Sequence, residues 1–250
     1  MIERIANVHR IDCGLPLPVL DSVSIPGVPK RMPAAMHGVE VEDGMVVIDP
    51  LNLPYEETHQ LEAIGRPTSI LITSLNHDRD ALDYRRRYGA RIWAHRDLAD
   101  YFDFKLDATF GDGEIVPGGL QAICMPGTFR GETIFLDSCE GGSLIVGDAI
   151  FNVDLDTYGL AGQALRTIGW PHRLSTMPRF LMRDEERAMK SYEHLLSHDF
   201  ARILMTHGTP VVDDARGVLQ TMLAQSEPLT PFFMRRAMAK VSSSFWEAMP

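Results

Sequence analysis

Two apolar runs, Met36 to Val41 and Met45 to Ile48, flank the dipeptide Asp43-Gly44 near the start of the chain. That pattern predicts a β-hairpin, with Asp-Gly supplying the positive φ angles of a tight two-residue turn. Asp49-Pro50 ends it, and the first fifty residues read as β-rich. Tyr55 to Ile64 reads as a helix. Ser69 to Thr73 is a short apolar run, as expected of a strand covered on both faces. Asp80 to Tyr88 follows as a helix stopped by Gly89, with Arg91 to Ala94 as the next strand. Gly119–Cys124, Thr133–Leu136 and Ser143–Val146 then read as strands between Gly-rich turns. Residues 152–180 show no clean periodicity. Met189, Tyr192, Leu195 and Leu196 recur at helical spacing and predict a helix over Arg183–Leu196. Arg202–Met205 reads as a strand running into Thr206-His207-Gly208-Thr209-Pro210. Val212–Ala224 and Pro231–Val241 read as closing helices.

Nothing in this pattern resembles a linker that would divide the chain, so one domain is expected. With 250 residues and 45% hydrophobic content it has enough apolar material for a full core. Its formal net charge of -10 disfavours nucleic acid or an anionic membrane as partner. Arg85-Arg86-Arg87 is the local exception, and a solvated helix face is the expected reading. Cys13, Cys124 and Cys139 are odd in number and lack metal-type spacing, which points to reduced thiols in a cytoplasmic compartment. The N-terminus has no apolar signal core. No apolar run approaches the roughly 18 residues of a membrane span.

The chemistry concentrates in four segments, each after a predicted strand. They are Ile72-Thr73-Ser74-Leu75-Asn76-His77-Asp78-Arg79, Met125-Pro126-Gly127-Thr128, Ile145-Val146-Gly147-Asp148-Ala149-Ile150-Phe151, and Met205-Thr206-His207-Gly208. In this order they resemble the metallo-β-lactamase superfamily from about Met36 to about Pro210. Its members carry Thr-His-x-His-x-Asp-His, Pro-Gly-His, Gly-Asp-x-x-Phe and a closing His turn. The resemblance implies an α/β, four-layer αββα sandwich with its core at 36–210 and a helical C-terminal extension at 212–250. It also implies strand-end loops that converge on two metal ions activating a water.

Matched position by position, the chain keeps Asp78, Asp148 and His207 and replaces the remaining ligands with Ser74, Asn76, Arg79 and Thr128. Neutral hydroxyls and amides bind Zn²⁺ poorly, so a standard dinuclear zinc hydrolase is not expected. Arg79 cannot act as a ligand. If it reaches the pocket, its guanidinium balances Asp78 and Asp148 with no metal; if it points outward, Asp78, Asp148 and His207 form a mononuclear site for Zn, Mn or Fe. His77 occupies a spacer position and is expected to point away from the centre. His37 and His95 fit no ligand slot, and Asp80 and Asp83 are expected to cap the helix they begin.

Three readings follow. The first is a metal-free binder of a small, anionic molecule, with Arg79 and His207 as anchors and Ser74, Asn76, His77, Thr128 and His172 around the pocket. The second is a mononuclear hydrolase of a small ester, thioester or lactone, with Asp78 and His207 as catalytic groups. The third is a structural or regulatory protein in which the pocket is vestigial. Independently of these readings, the apolar C-terminal segment, Phe232-Phe233-Met234 with Phe245-Trp246, is expected to pack on the pocket side or to form a homodimer contact.

Overall fold

The computed structural model describes residues 1–16, 31–167, 169–170 and 172–225. The expected helix at 231–241 and the apolar segment around Phe232 and Trp246 lie outside the described residues.

The chain begins with β1 (Ile2–Ile5), β2 (Val8–Asp12), the short pair β3 (Leu15–Pro16) and β4 (Arg31–Met32), β5 (Ala35–Val41) and β6 (Gly44–Ile48). Helix α1 (Tyr55–Ile64) leads to β7 (Pro67–Leu71), α2 (Ala81–Tyr88), β8 (Arg91–His95) and β9 (Ala108–Phe110). The second half carries β10 (Ile115–Val116), β11 (Leu120–Cys124), β12 (Thr133–Asp137), β13 (Ser143–Val146) and β14 (Ile150–Val153). It ends with α3 (Gly159–Thr167), β15 (Arg173–Thr176), α4 (Glu185–Leu195), β16 (Arg202–Met205) and α5 (Ala215–Ala224).

Seven strands form one sheet in the order β1-β2-β5-β6-β7-β8-β9, and five form a second, β10-β11-β12-β13-β16. Their inner faces meet in one apolar layer. Val39, Val46, Ile48, Leu71 and Phe110 come from the first sheet; Leu120, Ala122, Phe135, Ile145 and Leu204 come from the second. Side chains one residue along the strands point outward and are covered by helices: Val47 and Ile70 with Leu61, Ala81 and Tyr84; Val146 and Ile203 with Ala188, Tyr192 and Leu219. Each central strand is thus buried on both faces, which is why it reads as a continuous apolar run. The result is the expected αββα sandwich.

The structure moves some boundaries. Val41 pairs with Gly44, so the hairpin turn is Glu42-Asp43 rather than Asp43-Gly44. Gly44 has φ +142°, and a Cβ there would collide with the Arg66 carbonyl. The glycine therefore serves a close approach to the next strand, not the turn. Residues 152–180 are more regular than expected: β14 and β15 pair antiparallel, with α3 between them. Asp80 does not cap α2 with its side chain; its carboxylate accepts from Asn52 N and Nδ2 at 2.8 and 2.5 Å. Asp83 pairs with Arg86. Arg85 and Arg87 pair with Asp107 and Glu62, so the triple arginine is a compensated helix face.

Candidate metal centre

Loops at one edge of the sandwich bring the chemistry together. β6 and β7 are parallel neighbours, which sets Asp49, just past β6, beside the segment that follows β7. β13 and β16 are parallel neighbours too, with Val146 opposite Met205, so Asp148 and His207 emerge side by side. Thr133 N donates to Thr73 O at 2.8 Å and ties the two sheets together at this edge. Gly147 permits a close approach: a Cβ there would collide with Thr73 Oγ1 and crowd the His77 ring. Any side chain at this position would push Asp148 away from His77.

Three ligand atoms, one each from His77, Asp148 and His207, lie within 4.8 Å of one another, and all three residues are buried. His77 Nε2 is 3.3 Å and His207 Nε2 3.4 Å from Asp148 Oδ1. The other nitrogen of each ring is already engaged. His77 Nδ1 is 2.6 Å from Asp49 Oδ2, and His207 Nδ1 is 3.2 Å from the Pro33 carbonyl. These acceptors place the ring proton on Nδ1 and leave Nε2 as a lone pair in the neutral imidazole. Two lone pairs and a carboxylate oxygen then face one another, and His77 Nε2 has no hydrogen-bond partner. Three acceptors converging on one point require positive charge, either as protons or as a cation.

The electrostatics say the same. Burial works against a charged His77, but Asp49 and Asp148 outweigh it and raise its pKa to about 10. Burial likewise opposes ionisation of Asp148, yet His77 and His207 hold its carboxyl well below the usual range. Asp49 also accepts from Thr73 N and Thr73 Oγ1, at 2.9 and 2.7 Å. A carboxylate orienting the far side of an imidazole is the usual outer support of a metal-bound histidine. The donor set therefore fits one divalent ion, with two imidazoles and one carboxylate.

His77 is the correction to the sequence reading: it points into the centre, not away. Asp78 is half-buried and outside the ligand group. Burial and Asp103 raise its pKa, and Arg79 pulls the other way. Arg79 is exposed, so His77 rather than Arg79 supplies the counter-charge to Asp148. Asn76 does reach the centre, its Nδ2 donating to Asp148 Oδ2 at 3.3 Å. Ser74 is fully buried, and its Oγ accepts from Asn76 N. Thr128 is also fully buried and donates to Met125 O. Both hydroxyls shape loops. His172 belongs to a separate group with Asp154 and Asp156, and its Nδ1 accepts from Leu155 N.

Two further residues of the centre lie outside the four motif segments. Asp49 ends a strand in the sequence pattern; its signal is an acid at the end of a strand whose parallel neighbour carries the motif. Glu132 is 2% exposed, with neither carboxyl oxygen hydrogen-bonded. Nothing in the local sequence marks it.

Residues 36–164 match the metallo-beta-lactamase superfamily, and this match covers just over half of the chain. The chain belongs to that superfamily. No curated protein sequence matches it. Among solved structures, a flavoprotein from Thermotoga maritima is 16% identical over 90% of this chain, with a TM-score of 0.59; the chain spans 60% of that protein's length. An archaeal metallo-beta-lactamase superfamily protein from Sulfolobus tokodaii is 14% identical, with 98% of this chain and 100% of that one covered and a TM-score of 0.58. The VMB-1 structure is 10% identical over 90% of this chain and 97% of its own, with a TM-score of 0.63. At these identities the likeness is one of fold. No helix among the described residues is long and apolar enough to cross a membrane.

Proposed function

We propose that this chain is a hydrolase-type member of the superfamily that works with a single divalent ion, held by His77, Asp148 and His207, on a small ester, thioester or lactone. The observation that carries the reading is the convergence of His77 Nε2, Asp148 and His207 Nε2, with both Nδ1 atoms already satisfied. Such an ion supplies Lewis-acid polarisation of a carbonyl and a lowered pKa for bound water. The chain's own residues prepare that chemistry. Asp49 fixes the His77 tautomer. Phe151, stacked on His207 with ring centroids 5.6 Å apart, holds the second imidazole. Asn76, half-buried at the rim, orients Asp148 and presents an amide to an entering carbonyl.

The test is metal content of protein purified without chelator and then equilibrated with Zn²⁺, Mn²⁺ or Fe²⁺. One equivalent is expected in the wild type and in Asp78→Asn, and none in His77→Gln. Retention by His77→Gln with loss in Asp78→Asn would return the site to the family register.

A second reading rests on the high His77 pKa. Doubly protonated, His77 donates to both Asp49 and Asp148 and offsets one of their two negative charges, and the pocket binds a small molecule without metal. Failure of every ion to bind at pH 8 would favour it.

A further inference from the structure

A groove of about 750 Å³ runs between α4 and the loop that joins β11 to β12. The residues of α4 that line it are Arg187, Lys190, Ser191 and His194, which recur at helical spacing and so share one face. The acidic residues of that helix, Glu185, Glu186 and Glu193, line a different surface. The loop between β11 and β12 forms the floor, from Pro126 to Glu132, and contributes Arg130.

Two of the arginines that line the groove have no carboxylate partner among the described residues. The chain has 34 acidic against 24 basic residues, so acids are plentiful. Arg85, Arg87, Arg96, Arg166 and Arg179 all have carboxylate partners. Among the described residues, the guanidiniums of Arg130 and Arg187 have none, and both line this groove. Two of the acids that line the groove accept from backbone amides rather than from these arginines' guanidiniums. Asp112 accepts from Cys124 N at 2.8 Å, and Asp184 caps α4 by accepting from Arg187 N at 3.1 Å.

We infer that the groove binds an anionic oxygen group of the substrate, a phosphoryl or a carboxylate, between Arg130 and Arg187. A guanidinium presents a planar fork of donors that matches either group with two parallel hydrogen bonds. Groove and centre share α4: Ser191 lines the groove, and the next residue, Tyr192, donates to the Ala149 carbonyl one position past Asp148 at 2.7 Å. The anionic end of the substrate lies in the groove and its hydrolysable bond at the metal centre. That orientation rests on the hydrolase reading; anion binding itself does not.

The test is calorimetric titration of the whole, chelator-treated protein with inorganic pyrophosphate in one arm and glutarate in the other. Saturable one-to-one binding is expected in one arm, weakened about tenfold or more in Arg130→Gln/Arg187→Gln and reduced by added salt. Arg86→Gln, at a compensated surface pair, should bind as the wild type does. No saturable binding in either arm, or equal losses in Arg86→Gln and the double variant, overturns the inference. Anion binding without ester turnover by metal-loaded protein would sink the hydrolase reading and leave this one standing. Turnover of neutral esters without anion binding would do the reverse.

Discussion

Glu132 is the residue whose energetics are least comfortable. Its carboxyl is buried beside Asp148, and neither oxygen finds a hydrogen bond. Burial first, then Asp148, push its pKa well above the usual value; His77 pulls the other way. A carboxyl raised in the folded state contributes most stability below its unfolded pKa, near 4.5, and loses that contribution as pH rises. Glu132→Gln keeps the shape and removes the titration. The variant should therefore gain on the wild type as pH rises. Urea unfolding of metal-free protein should give a stability difference, variant minus wild type, that is more positive at pH 8 than at pH 5. Parallel behaviour at the two pH values would mean that Glu132 does not carry the proton assigned to it.

At the scale of elements, α4 supports the centre through one hydroxyl. Tyr192 OH donates to the Ala149 carbonyl at 2.7 Å, one residue past Asp148, and both groups are buried. Tyr192→Phe leaves that carbonyl with the Met177 N–H alone, at 3.0 Å, and should cost about 1 kcal/mol in unfolding free energy. It should also weaken metal binding, because the Asp148 turn loses its outer anchor. A loss of stability with unchanged affinity would confine α4 to packing. The helix itself was legible, since Met189, Tyr192 and Leu195 repeat at its period. β13 and β16 were legible too, because strands buried on both faces leave unbroken apolar runs. What stayed hidden was three-dimensional register. A motif in which each ligand has a fixed slot assigned His77 to a spacer. The loop after β7 instead turns that ring inward onto Asp49, a contact between residues 28 positions apart. Asp49 and Glu132 were hidden for the same reason: their roles arise from parallel neighbours and from the opposite sheet. The β14–α3–β15 region lacks a strong period, with half-buried Phe151, Asn152, Leu174 and Ser175 in its strands, and so read as irregular.

For the whole molecule, the buried ionisable groups set a pH profile that separates the two states of the centre. His77 is raised to about 10, so its stabilising contribution is full below pH 6.5 and is lost as pH rises through 10. Asp148 is depressed, so its contribution is present above pH 3.8 and is lost as pH falls. His37 is fully buried, and burial first, then Arg10, lower its pKa to about 3. A neutral buried histidine contributes above pH 6.5 and loses that contribution as pH falls toward 3. Metal-free protein should accordingly be most stable at about pH 6, where these trends cross, and each proton taken up or released on unfolding tilts the curve by about 1.4 kcal/mol per pH unit. A divalent ion reverses the alkaline limb. It needs the His77 Nε2 lone pair, so proton and metal compete, and metal affinity rises with pH through the range in which His77 would otherwise stay charged. Melting temperature measured from pH 5 to pH 9, with chelator and with excess Zn²⁺, should give two curves that nearly coincide at the acid end and diverge above pH 7, the metal-loaded one higher. Curves that stay together to pH 9 would show that His77 keeps its proton, and the centre would then be an imidazolium clasped by Asp49 and Asp148.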